Sequence, residues 1–121
     1  MILVGYFKEQ TPGFNDNYDS IYDVVDGFDG SNELKNKIIK YLQSGVLVSV
    51  CPTIVRDIID DAKIIGELST LTDGVYQWPS DYVYYIERYN LHVSKALIAH
   101  MQKNNWKVDQ GFDPESLFDE D

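Results

Sequence analysis

Three side chains in this chain are suited to nucleophilic or imidazole chemistry: the single cysteine, Cys51, and the two histidines, His92 and His100. Thiolate attack would require Cys51 to pair with His92 or His100 as its base. Cys51 ends the apolar run VLVSVC, where a free cysteine ordinarily serves as a small hydrophobe. A metal site finds no support, because the two histidines lack the i, i+4 register of a helical ligand pair and there is no second cysteine. The oxygen-rich run Asp26–Glu33 (DGFDGSNE) fails as a calcium loop, since Phe28 stands where a ligand is needed and the loop register breaks down. The chain also has no Gly-rich phosphate loop and no serine nucleophile elbow. The residues therefore specify no catalytic group, no cofactor and no metal, and the expectation is a protein that is not an enzyme. A rival reading is a small hydrolase or transferase using Cys51 or an acidic pocket. That reading requires a deep pocket holding Cys51 and a histidine with a perturbed pKa.

Carboxylates are abundant and unevenly spread. The formal net charge is −10, from 20 acidic and 10 basic residues. Glu9–Glu33 holds seven acids and no Lys or Arg, and Asp109–Asp121 holds six acids and again no base. Between them, Leu34–Val108 carries seven acids and nine bases, so the negative charge sits in two segments that flank a near-neutral body. Direct nucleic-acid binding is disfavoured, because phosphate contacts need clustered Lys and Arg. No apolar run approaches the ~18 residues that span a bilayer, and the opening MILVGYF lacks a basic flank, so it reads as a strand rather than a signal peptide. A lone cysteine cannot form an internal disulfide and fits a reducing compartment. These features point to a cytoplasmic protein without a membrane partner.

The elements that must carry these charges follow from periodicity. With 121 residues and 44% hydrophobic residues, one domain with its own core is expected. We expect a single α+β domain over residues 1–108 and a flexible acidic tail over 109–121. Ile2–Phe7 reads as a strand and Thr11-Pro12-Gly13 as a turn. Tyr18, Ile21, Tyr22, Val25 and Phe28 recur at helical spacing, with Asp16, Asp19, Asp23 and Asp26 on the opposite face. This predicts an amphipathic helix over Tyr18–Asp26, capped by Asp16 or Asn17 and stopped near Gly27. A second helix begins at Ser31 or Asn32, buries Leu34, Ile38, Ile39 and Leu42, and stops at a left-handed Gly45. Val46–Cys51 reads as a short buried strand ended by Pro52. Asp60-Asp61 marks a hairpin tip before a strand through Ile64 and Ile65, and Asp73-Gly74 a turn before a strand over Val75–Trp78. Ser80 is expected to cap a helix that buries Tyr82, Tyr85, Ile86 and Tyr89 and breaks at Asn90. Ser94 caps the next helix, with Leu97, Ile98 and Met101 inward, and Trp106 and Val108 form an edge strand. The sum is a small antiparallel sheet of about four strands, with three to five short helices layered on it.

The run Asp73–Tyr89 (DGVYQWPSDYVYYIERY) resembles a group of small bacterial immunity proteins from polymorphic-toxin and contact-dependent growth-inhibition systems. The likeness rests on Asp73, Gly74, Tyr76, Trp78, Pro79, Asp81, Tyr85, Ile86 and Glu87, and extends over about Ile39–Met101. This chain departs from the pattern at Val93-Ser94-Lys95-Ala96-Leu97, where related chains often carry Leu-Pro-x-x-Phe. Most of the motif reads as framework, so it does not locate a binding surface.

The resemblance implies an inhibitor of a cognate toxin, and such toxins are frequently nucleases with cationic active sites. The charge distribution points the same way by a separate argument, since carboxylates held in a row are complementary to a basic groove. The expected contacts are Asp16, Asp19, Asp23, Asp26 and Asp29, with Tyr18 and Tyr22 as aromatic anchors. Asp57, Asp60 and Asp61 form a second candidate patch. An acidic adaptor that mimics nucleic acid for some other basic protein is a further alternative.

Overall fold

The computed structural model describes residues 1–10 and 18–111. Its fold is α+β. Strand β1 (Ile2–Leu3) leads through a 3-10 turn at Lys8–Gln10 and another at Ile21–Asp23 to helix α1 (Asn32–Gln43). Strands β2 (Val46–Arg56), β3 (Ile64–Thr72) and β4 (Tyr76–Pro79) follow, and then helices α2 (Asp81–Tyr89) and α3 (Lys95–Lys103). The four strands form one sheet in the order β1-β4-β3-β2. Three of them are antiparallel neighbours as expected, but β1 pairs in parallel with β4, so the sheet is mixed.

Helix α1 forms where its periodicity places it. The Ser31 hydroxyl accepts from the Leu34 amide, and Ile38, Ile39, Tyr41 and Leu42 are buried. Leu34 is only half-buried. At the far end of α1, the indole nitrogen of the fully buried Trp78 donates to the Leu42 carbonyl at 3.0 Å, satisfying one of the acceptors a helix C-terminus leaves open. The stop itself departs from expectation. Gly45 is not left-handed; a Cβ on it would lie 2.6 Å from Trp78 Cζ2 and 2.9 Å from Leu71 Cβ. Glycine is required there by close approach of the backbone to the core, not by a positive φ.

Strand β2 is longer and far more exposed than an apolar run suggests. It passes through Pro52 to Arg56, and none of its residues is fully buried. As an edge strand, it tolerates a residue without an amide hydrogen, and the ladder register shifts between Cys51 and Ile54, around Pro52. The core lies instead between the three helices and β4, where Tyr41, Leu42, Trp78, Tyr85, Ile86, Leu91, Leu97 and Met101 are buried together.

Helix α2 buries Tyr82, Val83, Tyr85 and Ile86, whereas Tyr89 is half-buried. Asn90 ends it in the left-handed region with φ 53°, a conformation asparagine adopts more readily than most residues. Ser80 does not cap α2; its hydroxyl accepts from the Ser69 amide of β3 at 2.9 Å. Ser94 does cap α3, accepting from the Leu97 amide. No strand forms at Trp106–Val108, because Asn105 and Trp106 both take left-handed φ values of 56° and 60° and wind the chain back after α3. The expected first strand also shortens to Ile2–Leu3, with Gly5 turning at φ 78°. Of the tail, residues 112–121 lie outside the described residues, and Gln110 Nε2 donates to the Ser44 carbonyl.

Candidate partner-binding surface

Over Tyr18–Asp26 the expected helix does not form. Only Ile21–Asp23 makes a 3-10 turn; Val24 ends it and Asp26 turns left-handed at φ 58°. The β-branched pair Val24-Val25 and the following Gly27 disfavour helix continuation. Tertiary hydrogen bonds then take over the backbone. Asp26 N donates to the Tyr89 carbonyl, Phe28 N to the Asn90 carbonyl, and His92 N to the Val24 carbonyl. The segment is thereby stitched to the connection between α2 and α3.

Glu9 secures its other end. Its carboxylate accepts from the Ile21 amide at 2.7 Å and from the Ser20 hydroxyl at 2.6 Å. Burial acts to raise the Glu9 pKa, but these donors outweigh it and hold the carboxyl below the usual range. Ile21, fully buried, plugs the segment into the core. The result is a pinned loop whose backbone is fixed while its acidic side chains stay wet.

Asp19, Asp23, Asp26 and Asp29 are all exposed, and none has a salt-bridge partner among the described residues. Tyr22 beside them is 60% exposed. Tyr18 differs from Tyr22. It is half-buried, with its ring centroid 5.9 Å from that of Tyr6, and with Asp19 it lines a shallow cleft of about 330 Å³ shared with Tyr82 and His92. Asp16 lies outside the described residues.

The second patch breaks apart. Asp57 is 1% exposed and cannot meet a partner in the folded chain. Its Oδ2 accepts from the hydroxyls of Tyr84 and Tyr89, its Oδ1 from the amides of Ile59 and Asp60, and Arg88 Nε lies 3.6 Å away. Burial pushes its pKa up, but the Tyr89 hydroxyl, the two amides and the Tyr84 hydroxyl pull harder and leave it lowered. Asp60 is half-buried and pairs with Arg88 Nη2 at 3.7 Å. Asp61 alone of the three is exposed without an ion pair among the described residues.

The reactive side chains are not brought together. Cys51 is exposed on edge strand β2, where hydrogen bonding from Thr53 lowers its thiol pKa. It lines none of the cavities described for this chain. His100 contacts Asp73 instead, with Nε2 2.8 Å from Oδ2. Asp73 also accepts from the Tyr41 hydroxyl and from the amides of Val75 and Tyr76, closing the Asp73-Gly74 turn. Burial favours the neutral acid, but these donors, Tyr41 first, lower its pKa. This network ties α1, α3 and the turn together, and Cys51 is not part of it. Among the described residues, no group of three His, Cys, Asp or Glu side chains is placed to hold a metal ion, and no helix is long and apolar enough to cross a membrane.

Sequence reasoning overlooked Asp81. It stands in the first turn of α2 and is buried, and its Oδ1 has no hydrogen-bond partner among the described residues. The signal was present in the apolar neighbours Trp78, Pro79, Tyr82 and Val83, which leave little water around an acid at that position.

No protein-family model matches the chain, and no curated protein and no solved structure matches it.

Proposed function

We propose that this chain is an immunity protein that binds and neutralises a cognate basic toxin domain, a nuclease, in the cytoplasm. One observation carries the reading: Asp19, Asp23, Asp26 and Asp29 stand exposed and without ion pairs among the described residues, on a loop pinned by Glu9, Ile21 and the α2–α3 connection. Fixed, unneutralised carboxylates raise the local negative potential and steer a cationic partner at little ordering cost. Tyr22 supplies an exposed aromatic anchor beside them. Asp61 is the remaining contact of the second patch. The likeness of Asp73–Tyr89 to immunity proteins supports the same reading from different residues.

The test is co-purification with the product of the adjacent gene, followed by association kinetics at rising ionic strength. We expect the association rate to fall by about tenfold or more between low and physiological salt. A salt-independent rate contradicts electrostatic capture. A specific complex with a basic protein that is not a toxin would favour the adaptor reading.

A further inference from the structure

A cavity of about 320 Å³ opens between the start of α2, strands β2 and β3, and the N-terminal segment. Its wall is mainly carbon, from Val55, Leu68, Pro79 and the rings of Tyr6 and Tyr85, with Asp81 among them. Asp81 is 6% exposed, and its Oδ1 finds no hydrogen-bond donor. A buried carboxylate oxygen without a donor is expensive, and a native chain rarely keeps one without a use. Asp57 and Asp73 show how this protein treats its other buried acids: each receives at least four donors. Arg56 also lines the cavity, but it forms no ion pair with Asp81, and its Nη1 donates to the Asp61 carbonyl.

We propose that this cavity binds an apolar-bodied organic cation, with a guanidinium, amidinium or ammonium group on the Asp81 carboxylate and the carbon body against Tyr6, Leu68, Pro79 and Tyr85. Asp81 Oδ1 is a buried acceptor that no group of the chain among the described residues satisfies, which favours a ligand rich in N–H groups. Aromatic walls add attraction for a cation, and the volume lies at the small end of ligand sites, suited to one ring or one long side chain. An anion is disfavoured by the carboxylate itself. The same chemistry is carried by a free small amidine or amine and by an arginine or lysine side chain of a protein. The site does not depend on the acidic loop or on the toxin-inhibitor reading.

Burial pushes the Asp81 pKa up to about 6, and a seated cation must pull it down. Carboxyl 13C NMR of Asp81 in the intact protein, with pH, reads this directly. With benzamidine as the probe, we expect the midpoint to fall by on the order of one unit or more. Affinity should weaken roughly tenfold per pH unit below the free midpoint, because only the ionised acid binds. Benzoate should leave the midpoint in place. Asp81→Asn should lose benzamidine binding by about tenfold or more; if that variant does not fold, the wild-type titration decides alone.

The peptide acetyl-Gly-Arg-Gly-amide separates the two sources. A shift with both probes assigns the site to free small cations as well as side chains. A shift with the peptide alone assigns it to a partner's arginine. No shift with either overturns the proposal. So does a free-protein midpoint below about 4, since a cation of the chain such as Arg56 would then already neutralise the carboxylate.

Discussion

Tyr89 and Asp57, 32 residues apart, meet in a 2.5 Å hydrogen bond from the phenol to the carboxylate. The contact joins the last turn of α2 to the start of the β2–β3 connection, and the Tyr84 hydroxyl reaches the same oxygen at 2.8 Å. An acid that sequence alone offers to a partner is thus the clasp between a helix and the hairpin.

Replacing that acid tests the clasp. Asp57→Asn keeps the shape but presents an amide nitrogen or a weaker acceptor to two phenols and two amides. We expect a loss of about 2–4 kcal/mol in urea unfolding. Tyr84→Phe and Tyr89→Phe should each cost about 1–2 kcal/mol and combine non-additively, because they share one oxygen. Toxin binding by the folded fraction should be unchanged.

Acid should act on this protein in two opposite steps. Asp57 and Asp73 have folded pKa values below their ordinary one, so the stability they contribute is present above about pH 4 and is lost as pH falls through the folded values. Asp81 is raised to about 6, so its contribution is present below about pH 4 and is lost as pH rises through 6. Stability should therefore peak near about pH 4 and decline towards about pH 6. Asp81→Asn should raise stability at pH 7–8 by about 2 kcal/mol, and this gain should vanish by about pH 4. Urea midpoints across pH check both arms.

Gly45→Ala probes the junction of α1 with the sheet. The added methyl would sit 2.6 Å from the ring of Trp78, which is locked by burial and by its bond to Leu42. Overpacking against an immobile ring should cost about 1–3 kcal/mol, and Trp78 fluorescence should report the displaced indole.

Much of the framework was legible because local rules and packing agree. Ser31 and Ser94 carry out their caps, Asn90 ends α2, and Asp73-Gly74 turns with φ 98° at the glycine. The failures arise where tertiary partners override local spacing. The three-and-four spacing of Asp19, Asp23 and Asp26 also fits a loop whose amides and carbonyls bond to Tyr89, Asn90 and His92, distant residues that periodicity does not see. An apolar run such as Val46–Cys51 looks buried, yet Pro52 within the strand is the signal that it lies on an edge. The exposed acids were legible from composition, while the split of the second patch depended on Arg88 and the α2 tyrosines coming near Asp57.

Binding by the pinned acidic loop is the claim on which the proposed function turns. Its most direct test is the affinity of a variant in which Asp19, Asp23, Asp26 and Asp29 all become Asn, measured against the purified cognate toxin domain. Asparagine tolerates the left-handed Asp26 position, so the fold should persist. The account expects about a hundredfold loss of affinity or more, largely in the association rate and with its salt dependence reduced. A folded variant that binds and protects like the parent protein would contradict it.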